Sequence, residues 1–499
     1  MTGETVTTIG LSPFRDAGTR KAVKEASSAV EAVASPERRR ERGRSGRTRQ
    51  RALSAPAAPL HTPGGTPHNT FPLHQAALAG DARRVLLVLR SNPHLLVQRD
   101  VHGNTALHIA VMKGQKDCIR LLLAHNASVK SRNLQGWSPL AEAISYGDRQ
   151  IVASLVRRYK HQAKDNASKR RPSLLKALQE LGNFYLEVQW DFKSWVPLVS
   201  RMLPSDTCKI YKHGHNIRLD TTLMDFSDTR WQRGDLTVLF HGGTAHGEAF
   251  SVLDNENRVF QRVQYMDPTG DAVEEVDTLM SRDIVSVTLS TKSVHFSRSQ
   301  TGWLFREGRT ENIGGFEAEL YTVAGVCLIS RKRREHLSEE DVVRNKALLE
   351  NLRRGGSHRT PQVGSRISLP RPPTSPVSWH DYISAEPGRP PSLGRRPLCK
   401  ESRKYFRANM AMSLNFPLNL LKLLNVLEVV APFKQFHKLR DFVQLQLPPG
   451  FPVKLDVPVF PTVSATVTFN EFRRMSGFPA SLFSIPSDFV EDPSHFPDL

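Results

Sequence analysis

The chain has 499 residues with 69 Lys and Arg against 49 Asp and Glu, a formal charge of +20, and only 39% of its residues are hydrophobic. That length holds roughly two to four domains, while an apolar share below the usual ~45–50% sets part of the chain outside any core. No stretch approaches the ~18 uninterrupted apolar residues of a membrane span and the start lacks the apolar run of a secretory signal, so the expected setting is cytosolic. Cys118, Cys208, Cys327 and Cys399 are spaced too widely for a zinc cluster or a disulfide framework and read as reduced thiols.

The positive charge is concentrated in two stretches. Residues 1–70 hold twelve basic and six acidic side chains, and residues 330–410 hold eighteen and eight. Eight arginines fall between Arg38 and Arg51 in an Ala/Ser/Pro/Gly-rich setting without apolar periodicity, so residues 1–70 are expected to be a disordered basic region. Such an arm suits anionic lipid headgroups, RNA or an import receptor, or is simply a solvated tail. Because the charge belongs to tails and linkers and not to one face of a fold, no nucleic-acid partner is expected.

From Phe71 a pattern repeats. FPLHQAALAGD, TALHIAVMKGQ and SPLAEAISYGD align with Leu73, Leu107 and Leu140 at steps of 34 and 33, and with Ala76, Ala110, Ala143, Gly80, Gly114 and Gly147 in phase. Between them, Gly103 and Gly136 provide the left-handed position of a tight turn. This resembles the ankyrin repeat, with three copies over residues 71–165. Leu174 and Ala177 continue the phase, as a degenerate fourth unit reaching about residue 185 or as a helix opening the next domain. Ankyrin stacks take protein partners on their turn fingers and inner helices, which places candidate partner-binding residues at Val101, His102, Asn104, Met112, Lys113, Leu134, Gln135, Trp137, Ser145 and Tyr146. Trp137 is equally suited to packing against the following domain.

Beyond residue 183 the periodicity changes to two. NIRLDTTLMDF, GDLTVLFHG, SVTLSTKSVHF and FEAELYTVAGVCLIS alternate apolar and polar residues between turn signals, which predicts a mainly antiparallel sheet, curved into a sandwich or open barrel. The fold class is therefore α+β, an N-terminal helical solenoid followed by a β-rich domain over 186–499. Residues 353–396, dense in Arg, Pro, Ser and Gly, are expected to form a flexible insertion, with WHDYISAE at Trp379 to Glu386 as an apolar island suited to docking. LNLLKLLNVLEVV predicts a helix apolar around most of its surface, so Leu420, Leu423, Leu424 and Leu427 mark a core helix or a client-binding one.

SWVPLVSRMLPSDTCKIYK, STKSVHFSRSQTGWLFR, SRKRREHLSEED and PPGFPVKLDVPVFPTVSATVTF are similar to the ankyrin-repeat-domain 13 family, and to its C member in particular, over about residues 71–499. The resemblance implies an ATP-independent chaperone for immature G protein-coupled receptors, peripheral on the cytosolic face of the endoplasmic reticulum and controlling receptor exit, with residues 186–499 as the receptor-chaperone domain. It implies neither a cofactor nor a metal. The alternative is a ubiquitin-linked endocytic or sorting adaptor. EEDVVRNKALLENL does not itself fit a ubiquitin-interacting motif, because Lys346 and Glu350 fall where Ala and Ser are required; Ser338 and Asp341 read as a helix cap. Catalytic signatures such as Gly-x-Ser-x-Gly, His-Glu-x-x-His or a phosphate-binding loop are lacking, so no enzyme is expected.

Overall fold

The computed structural model describes residues 70–194, 203, 205–227, 230–243, 249–262, 272–290, 293–301, 307–353, 367–373, 375–430, 447–460 and 463–496. The basic run from Arg38 to Arg51, residues 354–366 of the expected insertion and the amphipathic stretch after Pro432 lie outside the described residues.

Three helix pairs open the chain: α1 (Pro72–Ala79) with α2 (Ala82–Ser91), α3 (Ala106–Met112) with α4 (Lys116–Ala124), and α5 (Pro139–Tyr146) with α6 (Arg149–Leu181). Prolines occupy the first turn of α1 and α5, where a backbone donor would be unsatisfied anyway. The Ser138 hydroxyl accepts from Ala141 N at 3.2 Å, and Asp81 from Arg84 N at 2.9 Å, so side chains take up the free donors of these helix starts. Ala76, Ala77, Ala110 and Ala143 are fully buried, which lets the helices approach closely. A histidine ladder ties each repeat to the next. His74 Nε2 meets the Asn104 carbonyl at 3.1 Å, and His108 Nε2 meets the Trp137 carbonyl at 3.1 Å, one repeat further on. Thr105 N donates to His108 Nδ1, so Nε2 carries the proton and donates to the finger.

Helix α6 runs for 33 residues, about 50 Å, without a break at Pro172. Its first half buries Ile151, Val152, Leu155 and Val156 in the repeat core, and its second half buries Ala177, Leu178 and Leu181 in the next core. The residues in phase with a fourth repeat therefore belong to one continuous helix. They meet the sheet and not another repeat.

Among the described residues, the C-terminal region forms one hydrogen-bonded sheet of 14 strands, and all of its pairings are antiparallel except the last. In chain order its strands are β1 (Phe184–Ser194), β2 (Ser205–His213), β3 (Asn216–Ser227), β4 (Arg230–Phe240), β5 (Phe250–Asp254), β6 (Val259–Arg262), then helix α7 (Ala272–Met280), β7 (Ile284–Ser290) and β8 (His295–Arg298). A short ribbon of β9 (Gln300–Thr301) and β10 (Glu307–Gly308) precedes β11 (Thr310–Ile313), β12 (Phe316–Arg333), helix α8 (Glu339–Arg353), helix α9 (Trp379–Ser384) and β13 (Cys399–Ser413). Helix α10 (Leu420–Val430), β14 (Phe451–Phe460), β15 (Val463–Arg474) and β16 (Val490–Glu491) complete the order. The strands run β11-β12-β13-β14-β15-β1-β2-β3-β4-β5-β6-β16, and β7 and β8 add to the long β12. Gly325 bends β12 where its register shifts, and a side chain there would strike the Ser293 carbonyl.

An aromatic cluster fills the second core: Phe416 stacks on Phe451 at 4.4 Å and lies 5.3 Å from Phe472. Leu420 and Leu423 of α10 pack on it with Val426, and Leu424 is buried as well, so these positions are core-facing; Leu427 is not among the described side chains. All four cysteines are free thiols. Among the described residues, no helix is long and apolar enough to cross a membrane.

Candidate functional site

The turn fingers of the repeats are shaped by their own polar side chains. Asp100 Oδ1 accepts the amides of His102 and Asn104, each at 2.8 Å, and Asn133 Oδ1 accepts that of Trp137 at 2.9 Å. Asn133 Nδ2 then donates to Asn104 Oδ1 at 3.0 Å, which joins the two fingers side by side. The face so formed is not empty. Residues 375–395, from the stretch expected to be a flexible insertion, lie across it and along the inner helices, while Ser368 and Leu369 bond to Arg149 N and the Gly147 carbonyl at the far end of α5.

The island WHDYISAE is the center of that strap. Its Ser378 and Asp381 form a capping box that starts α9, and this places Trp379 and Tyr382 on one side of the short helix. Tyr382 is fully buried, stacked on Trp379 at 5.7 Å and edge-on to His102 at 4.9 Å. Its hydroxyl donates to Asp100 Oδ2 at 2.7 Å and accepts from Asn104 Nδ2 at 2.8 Å. Burial, then the Asp100 charge, pushes the phenol above its usual range, so it stays a donor. Gly388 N donates to His102 Nδ1 at 3.2 Å, which leaves His102 Nε2 as the donor to the Tyr382 carbonyl at 2.8 Å.

Eight of the ten residues singled out on the repeats meet this strap. Besides His102 and Asn104, Lys113 donates to the Ser375 carbonyl and Gln135 to the Gly388 carbonyl, both at 3.0 Å. Leu134 lies beside Gly388, and Gly394 sits so close to the Met112 carbonyl that a side chain there would collide with it. Arg395 donates to the carbonyls of Ser145 at 3.1 Å and Tyr146 at 3.4 Å. Val101 is half-buried nearby.

Trp137 has a different neighbor. It is 3% exposed, inside the repeat core, and the Arg333 guanidinium from the end of β12 lies over its ring at 5.0 Å. Arg333 forms a fork to Glu142 of α5 at 2.9 and 3.1 Å, pairs with Glu335 at 2.6 Å and donates to Ser145 Oγ at 2.8 Å. Burial by itself would weaken the guanidinium charge, but Glu142 and Glu335 hold it above its ordinary value; burial likewise opposes the Glu335 charge, and Arg333 with Ser145 holds that carboxyl below its usual range. Trp137 is thus a junction residue, the second of its two readings. The basic run Arg331 to Arg334 lies at the end of β12, and its arginines are matched: Arg331 pairs with Glu401 at 2.7 Å and Arg334 with Asp283 at 2.8 Å.

Asp100, Tyr382, Glu142, Arg333 and Glu335 were not singled out from sequence as site residues. Glu142 carried a signal, as a carboxylate in an alanine-rich inner helix; Arg333 was hidden within a run of like charges.

Two family models match the chain, one described as ankyrin repeats in three copies over residues 73–167 and one described as the ANKRD13 C-terminal region over residues 218–489. The mouse protein named ankyrin repeat domain-containing protein 13C is 59% identical over 438 residues, covering 87% of this chain and 80% of that protein. This chain belongs to the ankyrin-repeat-domain 13 family. The zebrafish 13C protein is 58% identical across 87% of this chain and 89% of its own length, whereas the human 13B protein is 32% identical across 86% and 71%. The kinship with the C member expected from sequence therefore holds, and the ankyrin-repeat match falls on the N-terminal helical stack.

Proposed function

We propose that this family member is an ATP-independent chaperone and adaptor for G protein-coupled receptors, acting peripherally at the cytosolic face of the endoplasmic reticulum on receptor maturation and exit. The observation that carries this reading is 58–59% identity to 13C proteins over 87–88% of the chain, combined with the receptor-chaperone character that the resemblance implies for the C-terminal region. Binding without catalysis fits a molecule whose relatives bear the names of ankyrin-repeat proteins and whose buried charges at the junction are engaged in structural pairs. A client surface is offered by β13. Its residues 399–408 pair with β12 on one side, while β14 joins only from Asn409 onward, and among the described residues no strand pairs with the other edge. Tyr405 and Leu398 are exposed there beside Lys400, Arg403, Lys404 and Arg407, and an extended receptor segment would add to such an edge through main-chain bonds.

The test is co-precipitation of the full chain with a receptor whose immature and mature glycoforms are distinguishable. The immature form is expected to be enriched, equally so after ATP depletion, and raised levels of the chain are expected to increase the immature fraction by mass action. Alkaline carbonate is expected to strip the chain from membranes. Equal capture of both glycoforms, or of neither, overturns the reading; capture of ubiquitylated endosomal receptors alone replaces it with the sorting adaptor.

A further inference from the structure

The strap over the repeats is held as a peptide is held in a groove. The repeat side chains address its main chain: Lys113 at Ser375, His102 at Tyr382 and Gly388, Gln135 at Gly388. One side chain, Tyr382, is read in full, by packing and by both hydrogen bonds of its hydroxyl. The strap also braces itself, with Ser375 Oγ donating to the Ser392 carbonyl at 3.0 Å, so the helix and the returning Gly388–Arg395 stretch lie down together. One group in it is left unsatisfied. The Trp379 indole N–H is buried without an acceptor among the described residues, a cost that a different occupant would not share.

We propose that this face of the ankyrin stack is a reading site for short aromatic peptides, held in this state by the chain's own residues 375–395. Its partners are protein segments of the same chemistry: a short helix capped as Ser-x-x-Asp, with aromatic residues at its first and fourth positions, the second a tyrosine, and a glycine six residues after the tyrosine. The tyrosine is selected by Asp100 and Asn104, because a phenylalanine would leave Asp100 Oδ2 and Asn104 Nδ2 without the hydroxyl they bond. The glycine is selected by its backbone, whose φ of +78° L side chains rarely adopt, and its amide donates to His102 Nδ1 while its carbonyl accepts from Gln135. A tethered occupant acts at an effective concentration in the ~mM range, so a free segment binds with its intrinsic affinity reduced by the fraction of chains whose strap is released. The inference does not rest on the receptor reading: peptide binding and receptor capture are separate measurements, and either can fail alone.

The probe is a fluorescent synthetic peptide of residues 375–396, titrated by anisotropy into the full-length chain and its variants. Tyr382→Phe in the protein removes only the hydroxyl bonds and is expected to tighten peptide binding about tenfold over wild type, since one lost hydrogen-bond set loosens the strap by that factor. Trp379→Ala with Tyr382→Ala is expected to tighten it further, and adding Asn104→Ala is expected to abolish the gain. A peptide carrying Tyr382→Ala is expected not to compete. If the double variant shows an intact thermal transition and yet binds no peptide below about 1 mM, the strap is a fixed part of the fold and the proposal fails. If the double variant does not fold, Tyr382→Phe decides: peptide affinity no greater than that of wild type overturns the proposal.

Discussion

The repeat stack and the sheet are held together over very different distances along the chain. In the stack, every link joins neighbors: His74 reaches Asn104, His108 reaches Trp137, and Asn133 reaches Asn104. In the sheet, the first strand pairs with the fifteenth, Phe184 opposite Arg474, so its two ends must meet before either is stable. The seam between them is neither kind of structure. It combines apolar packing, with Val276, Met280 and Ile284 buried in the repeat core, and ion pairs, Arg333 with Glu142, Arg149 with Asp277 at 2.6 Å and Lys160 with Glu275 at 2.9 Å, and it is spanned by α6, which lends one half of its length to each core. Apolar contact alone would join the two regions without orienting them. A buried fork fixes one relative position, at the risk that losing a partner is severe.

That difference gives the largest expected effect. Arg333→Ala leaves Glu142 and Glu335 buried without their cation and is expected to cost about 3–5 kcal/mol, with calorimetry resolving separate unfolding of stack and sheet. A single transition with an unchanged midpoint would mean that α6 alone couples the regions. Leu424→Ala probes the sheet side, where loss of a buried leucine is expected to cost about 3 kcal/mol. Made in the Arg333→Ala background, it is expected to lower the sheet transition in calorimetry and leave the stack transition where it was.

The stack has its own pH dependence. Burial holds His108 down from 6.5 to about 3, and burial lowers His74 as well. The unfolded chain takes up a proton near pH 6.5 that the folded stack refuses, so this stability is complete above pH 6.5 and falls as the pH drops toward 3. Between pH 7 and 5 the loss from His108 is roughly 2 kcal/mol. Denaturant midpoints at the two pH values check it, and His108→Gln is expected to shrink the difference. An equal pH dependence in that variant would place the titration elsewhere.

How much of this was legible follows from the same contrast in distance. The repeats could be read from sequence because leucine, alanine and glycine recur at steps of 33 and 34, and partners one repeat apart share that phase. Alternation gave the strands but not their neighbors, since nothing local connects Phe184 to Arg474 or sets β7 against the far end of β12. The finger and inner-helix positions were predicted as a contact face from their place in the repeat. What covers them was not, because residues 367–396 have the Pro, Gly and Ser content of a linker, and their order comes from contacts more than 200 positions away, such as Tyr382 to Asp100. The WHDYISAE island was the one visible sign.

The smallest effect separates the strap from both regions. Among the described residues, two capping boxes share one design, Ser378 with Asp381 at the start of α9 and Ser338 with Asp341 at the start of α8, the hydroxyl 2.7 and 2.8 Å from its carboxylate. Replacing a cap serine by alanine costs about 1 kcal/mol. A six-residue helix has no stability of its own, so in Ser378→Ala the cost falls on the strap as a unit. Its amides, including Tyr382 N bonded to the Ser378 carbonyl at 3.0 Å, are expected to exchange about fivefold faster, while the global midpoint stays within a few degrees. Ser338→Ala serves as the comparison, loosening α8 and leaving the strap as it was. Hydrogen exchange read by mass spectrometry over residues 375–395 distinguishes the two variants. If Ser378→Ala instead lowers the global midpoint and leaves strap exchange tied to it, the strap opens only with the whole stack, and the division into stack, sheet and separable strap gives way to a division into two.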